Sequence, residues 1–169
     1  MGDPRRRRKL YESPKKLWDK ARIEEESGLV KEYGLKNARE LWRMQTILRK
    51  IRREARRILS RKGTHLKERE EALLARVKRF LIHKPDASLD DVLALDGRDI
   101  LERRLQTLVK KKNFGKTPRQ CRQLVVHGHV AIGSQRVTIP SYLVRFDEED
   151  AVTWWGSPVN GSAEAKAVN

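Results

Sequence analysis

The sequence predicts an α+β fold in which the two kinds of structure are segregated along the chain, helices first and a small sheet last. Between Asn37 and Asn113 apolar residues recur at spacings of three and four, the periodicity of helices that bury one face. After Gly115 the texture changes to one short helix and then brief strand-like segments separated by glycine and proline. Helices followed by strands, without strict alternation, are the pattern of α+β rather than α/β architecture.

Taken in order, residues 1–36 read as a basic extended arm carrying a short helix around Trp18 to Ser27. The arm holds Arg5, Arg6, Arg7 and Arg8, an acidic run from Glu24 to Glu26, and turn-forming Gly28 and Gly34. Such a segment buries too little to offset its ordering entropy alone. Residues 37–97 read as a helical domain. Asn37 is placed to cap its long first helix, with Glu40 completing a capping box. Leu41, Met44, Ile47, Leu48, Ile51, Ala55, Ile58 and Leu59 form the buried stripe, and Gly63 supplies the stop. Thr64 opens a second helix with Leu66, Leu73, Leu74, Val77, Phe80 and Leu81 inward, ending before Pro85 and packing antiparallel on the first. Ser88 and Asp91 form a further capping box, and Asp96-Gly97 reads as a turn.

Residues 98–155 read as a second module and 156–169 as a flexible tail. Ile100, Leu101, Leu105, Leu108 and Val109 mark a helix reaching Asn113. Thr117 as cap, Pro118 at the first helical position and Gln120 three after the cap agree on the next helix start. Gly128 stands where the left-handed C-terminal residue belongs. Strands are expected at His129 to Ile132, Gln135 to Ile139, Leu143 to Phe146 and Ala151 to Trp155, with Gly133-Ser134 as a two-residue hairpin turn.

Charge narrows the function. Lys and Arg number 39 against 23 Asp and Glu, a net charge of +16 that a polyanion would relieve. The first long helix carries Arg49, Lys50, Arg52, Arg53, Arg56 and Arg57 on its outer faces, with Glu54 as the sole acid between Arg43 and Lys62. From Leu101 to Phe146 there are ten Lys or Arg residues and a single acid, Glu102. Solvated faces mix both signs, so this exclusion favours phosphate contact over a merely solvated surface. An anionic membrane surface is a weaker partner, because the long helix offers only Trp42 to lipid. No apolar run approaches the roughly 18 residues of a membrane span, and the basic start lacks a secretory h-region. A single cysteine, Cys121, permits no internal disulfide, and a reducing intracellular compartment is expected.

Cys121, His127 and His129 stand within nine residues in QCRQLVVHGHV and raise the question of a metal or catalytic site. At about 100° per residue Cys121 shares a face with Leu124 and Val125, while Arg119, Gln123 and His127 stack on the opposite one. Cysteine and histidine therefore diverge, and no further ligand is near enough in sequence to complete a zinc shell. Cys121 reads as a core residue. The acidic cluster Asp147 to Asp150 reads as a solvated loop, and Trp154 and Trp155 as strand-end packing.

The segments ERRLQTLV and TPRQCRQLVVHGHVAIGSQRVTIPSYLV resemble the RNA-binding module named after the fourth protein of the small ribosomal subunit. KLYESPKKLWDKARIEEESGLVKEYGLKNARELWRMQTILRKIRREARRIL resembles the archaeal and eukaryotic branch of that ribosomal-protein family, and the similarity runs to about Trp155. The resemblance implies helices packed on a small bent antiparallel sheet, and a structural protein that binds small-subunit rRNA early in assembly. It further implies a place along the path by which messenger RNA (mRNA) enters, beside the third and fifth proteins of the subunit.

Carried onto matching positions, the RNA-facing residues would be Arg103, Arg104, Thr117, Arg119, Gln120, Arg122, Gln123, His127, His129, Ser141 and Tyr142. Lys110, Lys111, Lys112, Lys116, Arg136 and Arg145 would add phosphate contacts. Some bacterial members hold an N-terminal zinc through cysteines. This chain has no cysteine before Cys121, so no metal or cofactor is expected and the arm would be ordered by RNA. The alternative readings are a paralogue acting in precursor-rRNA processing, which would share the module, and an RNA-modifying enzyme, which would need a catalytic domain beyond the segments recognised here.

Overall fold

The computed structural model describes residues 9–60, 66–84 and 86–156. Arg5 to Arg8, Gly63, Thr64, Pro85 and most of the expected tail lie outside the described residues. The element order is α1 (Lys20–Glu32), α2 (Ala38–Leu59), α3 (Leu66–Lys78), α4 (Leu89–Ala94), α5 (Gly97–Glu102), α6 (Leu105–Lys111), α7 (Pro118–His127), β1 (Val130–Ile132), β2 (Gln135–Arg136), α8 (Phe146–Glu149) and β3 (Val152–Trp154). The sheet is antiparallel with β1 at its centre, in the order β2-β1-β3. The α+β class predicted from the sequence is the class observed.

Two cores divide between Leu101 and Leu105. In the first, the α2 stripe of Leu41, Met44, Leu48, Ala55 and Ile58 packs on Leu73 and Val77 of α3, Val92 of α4 and Ile100 of α5. The second joins Leu105, Leu108 and Val109 of α6 to Cys121, Leu124 and Val125 of α7, with Val130, Val144 and Val152 from the strands and the loop between them. Trp154 lies flat on Phe114, their ring centroids 4.8 Å apart, which closes one end of this core.

Local signals explain most boundaries. The Asn37 side chain accepts from the Glu40 N–H, and Ser88 with Asp91 forms the reciprocal box expected of it. Thr117 caps α7, Pro118 starts it, and Gly128 ends it at φ 78°. The His129 N–H then reaches back to the Leu124 carbonyl, closing a Schellman motif. Ile132 pairs with Gln135 around the Gly133-Ser134 turn.

The departures are physical. α1 runs through Gly28, which lies open on its outer side, and stops at Gly34 with φ 59°, where the Leu35 N–H bonds to the Val30 carbonyl. α3 stops at Lys78, short of Phe80 and Leu81, whose N–H groups still bond to the Val77 carbonyl. Asp96-Gly97 is no free turn: Asp96 is the N-cap of α5, and its N–H bonds to the Asp99 carboxylate at 2.6 Å.

The helix expected from Ile100 to Asn113 is two helices. Arg104 is extended and bridges Leu143 instead. The Leu105 N–H bonds to the Tyr142 carbonyl at 2.8 Å, and the Val144 N–H to the Arg103 carbonyl at 3.0 Å, so the loop takes hydrogen bonds that a continuous helix would use. This pairing also corrects the strand expected at Leu143 to Phe146, which is one bridge followed by α8. Asp147, Glu148 and Glu149, expected in a solvated loop, form α8. β2 stops at Arg136, well before Pro140.

Tyr11 and Glu12 dock on α2. The Glu12 N–H bonds to Thr46 Oγ1 at 3.0 Å, its carboxylate pairs with Arg49 at 2.7 Å, and Tyr11 meets the Trp42 ring at 5.9 Å. These contacts tie this part of the arm to the first long helix.

Candidate nucleic-acid interface

The seam between the two cores is polar, and it fixes where α7 points. Arg122 of α7 donates to both carboxylate oxygens of Glu40 on α2, at 2.7 and 3.1 Å. Arg104, 1% exposed, donates to the same carboxylate at 2.9 Å. Burial raises the carboxyl of Glu40, but the Arg122 hydrogen bond and the two guanidinium charges outweigh it and hold the group below its ordinary value. Glu40 therefore caps nothing with its carboxylate, contrary to the capping box expected of it.

Gln106 sits beside this cluster, 1% exposed. Its amide N–H groups reach the carbonyls of Tyr33, Gly34 and Pro118 at 3.0–3.1 Å, and its oxygen accepts from Arg122 at 3.3 Å. A Cβ on Gly34 would stand 2.6 Å from the Pro118 Cβ, so the turn after α1 meets the start of α7 without room for a side chain.

A second buried arginine fixes α8. Arg103 donates to Glu149 at 2.6 Å and to the Val144 carbonyl at 3.1 Å, with its guanidinium 4.1 Å from the centre of the Phe146 ring. The Tyr142 hydroxyl lies 3.1 and 3.2 Å from the Glu148 carboxylate oxygens, and burial followed by this acid raises its pKa.

The outward face of α6 and α7 is different. Lys110, Lys116 and Arg119 are exposed and form no ion pair with any described residue; Gln123 and His127 are exposed beside them. Thr117 and Gln120 are exposed, and the Gln120 side-chain oxygen accepts from the Lys116 N–H at 2.9 Å. The first turn of α7 thus presents the positive end of a helix with unpaired cations beside it. His129 is half-buried, its ring 6.4 Å from that of His127. Arg136 is exposed but folds back, donating to the His127 carbonyl at 2.9 Å.

The other expected residues divide. Lys111 pairs with Glu102 at 3.2 Å, Lys112 donates to the Asp150 and Val152 carbonyls, and Arg145 lies 3.7 Å from Glu148. Ser141 is half-buried. On α2, Lys50, Arg56 and Arg57 are exposed without an ion pair among the described residues, Arg49 and Arg53 face Glu12, and Arg52 donates to the Leu95 carbonyl.

Arg103, Arg104 and Arg122, expected to face RNA, are thus occupied by Glu149 and Glu40. Sequence periodicity did not single out Gln106 or Glu149 because their partners lie far away in the chain. Cys121 is fully buried against Gly115, and burial raises its thiol pKa. Among the described residues no group of three or more His, Cys, Asp and Glu is gathered to hold a metal, and no helix is long and apolar enough to cross a membrane.

Residues 103–150 match the S4 domain family. Over 156 residues the chain is 46% identical to the small ribosomal subunit protein uS4 of Sulfurisphaera tokodaii, spanning 92% of this chain and 88% of that one. It is 45% identical over 155 residues to the uS4 protein of Methanococcus aeolicus, spanning 91% and 88%. The chain belongs to the uS4 family of small-subunit ribosomal proteins.

Proposed function

We propose that this chain is a structural, non-catalytic constituent of the small ribosomal subunit in the cytoplasm, binding small-subunit rRNA directly and early in assembly. The observation that carries the reading is the face of Lys110, Lys116 and Arg119 at the capped start of α7, where the cations form no ion pair among the described residues. Phosphate supplies the missing counter-charge, and Gln123 and His127 add hydrogen-bonding groups beside it. The Lys50, Arg56 and Arg57 side of α2 contributes a second basic surface. The names of the relatives support the ribosomal assignment. A position lining the path of entering mRNA, beside the third and fifth proteins of the subunit, belongs to the same reading. No metal or cofactor enters it.

The test is binding of the pure protein to a small-subunit rRNA transcript, against transfer RNA and duplex DNA of equal length, across a salt series. An rRNA preference that persists as salt rises supports shape recognition by the folded module. Equal and equally salt-sensitive binding to all three would mean that charge alone acts.

A further inference from the structure

Leu17 and Trp18 stand clear of both cores, in the turn that leads into α1. Trp18 is 92% exposed and Leu17 61%. The turn is nevertheless firmly held. Arg22 donates to the carbonyls of Lys16 and Leu17 at 3.2 and 3.1 Å, and its other nitrogen lies 2.7 Å from the Glu26 carboxylate. Glu26 is buried and also accepts from the Trp42 indole N–H at 3.0 Å, which ties the turn to α2. Among the described residues almost nothing covers this indole on its braced turn, and its surface is left for a partner.

We propose that Trp18 is a stacking anchor for an unpaired RNA base, with the neighbouring phosphates on Lys15 and Lys16. The inference rests on the reading of the chain as an RNA-binding protein. Charge selects RNA over an apolar protein partner: Lys15, Lys16, Lys20 and Arg22 flank Trp18 in the sequence, with Asp19 the only acid between residues 13 and 22, and of these Lys20 and Arg22 face Glu24 and Glu26. Lys15 and Lys16 are exposed and make no ion pair among the described residues, and seating an apolar protein surface here would strip their water without neutralising them. Aromatic faces interleaved with cations are what single-stranded nucleic acid needs, since every base has a π-face and every step a phosphate. Beside the turn, Lys15, Lys16, Arg22 and Arg49 line a cleft of about 460 Å³, with Arg49 already paired with Glu12. Asp19, Glu25 and Glu26 also line it, and Glu26 is already neutralised by Arg22.

The experiment uses the full chain and a small-subunit rRNA transcript, with Trp18→Ala, Trp18→Phe and the double variant Lys15→Ala/Lys16→Ala. Trp18→Ala should weaken binding roughly five- to 150-fold, the range for loss of one stacked base, with an unchanged salt slope. Trp18→Phe should recover most of the loss, and the lysine double variant should flatten the salt slope by about two counterions. Because the indole is exposed, thermal melts of Trp18→Ala should match the wild type, separating lost contact from lost fold. Wild-type affinity in Trp18→Ala overturns the proposal while leaving the RNA-binding reading intact. Normal rRNA affinity with loss of a neighbouring protein during subunit reconstitution overturns it in favour of a protein contact. Absence of any rRNA preference in the wild-type chain removes the parent reading and this inference together.

Discussion

Arg122 and Glu40 lie 82 residues apart in sequence and meet in a two-pronged ion pair, with the two terminal guanidinium nitrogens donating to the Glu40 carboxylate, at 2.7 and 3.1 Å. The pair joins the first core to the helix that offers the candidate RNA face. Arg104 shares the same carboxylate from a nearly sealed position, so Glu40 is the only counter-charge drawn to it among the described residues. Removing one member of a buried ion pair costs roughly 3–5 kcal/mol, mostly because the other charge is left unpaired. Glu40→Ala should therefore destabilise by an amount at the lower end of that range, since Glu40 keeps some exposure. Urea denaturation measures it, and a loss below about 1 kcal/mol would mean the seam does not depend on this charge.

The same carboxylate makes stability depend on pH. Its pKa is lower folded than unfolded, so its contribution is present in full above the ordinary carboxylate value of about 4.3. It is lost as pH falls from there through the lower folded value. Glu40→Gln cannot titrate, so the stability gap between it and the wild type should be constant near neutrality and shrink below about pH 4. A gap that does not change with pH would show that geometry rather than charge makes the contact.

Much of the fold was legible because its determinants are local. Asn37, Ser88, Thr117, Pro118 and Gly128 each act within a few residues, and the α2 stripe declares its own period. The seam was not legible for the converse reason. Glu40 has the spacing of a capping box, and only the arrival of Arg104 and Arg122 from the second module draws its carboxylate away. Arg103 and Arg104 read as RNA ligands by resemblance, yet the break between α5 and α6 turns both inward, because the loop around Tyr142 takes the backbone bonds there. The exposed face of Lys116 and Arg119 was legible, since it needs only the helix start and the run of cations.

Gly34 should tolerate no side chain. Its φ of 59° alone costs an alanine about 1 kcal/mol or more, and the added Cβ would meet Pro118 at 2.6 Å and its backbone at 3.1 Å. Gly34→Ala should lose more than the conformational cost, with the surplus measuring how tightly the turn is pressed on α7. Gly28→Ala is the control: its Cβ would meet nothing within 4 Å, inside a helix where alanine is the better former, and it should be neutral or stabilising.

Arg119 and Arg122 are three residues apart on α7 and should behave differently towards RNA. Arg119 is exposed without an ion pair, so Arg119→Ala should weaken rRNA binding and flatten its salt dependence by about one counterion, with little change in stability. Arg122 is already neutralised by Glu40, so Arg122→Ala should lower stability and leave the salt slope nearly as it was. Equal slope changes in both variants would mean that RNA displaces Glu40 from Arg122 on binding.

Cys121 gives a probe of the second core. The thiol is fully buried between α7 and Gly115, and burial raises its pKa, so both access and thiolate fraction disfavour reaction with a disulfide reagent. Labelling in the native protein should be slow and should follow opening of the core, accelerating with urea in step with unfolding. Because Glu40 and Arg122 clamp α7 from the other side, Glu40→Ala should speed labelling at fixed denaturant by the factor its stability loss dictates, about tenfold per 1.4 kcal/mol, if opening at the thiol is global. Labelling that ignores Glu40→Ala would place the thiol's opening in a local motion of α7 and Gly115, independent of the seam.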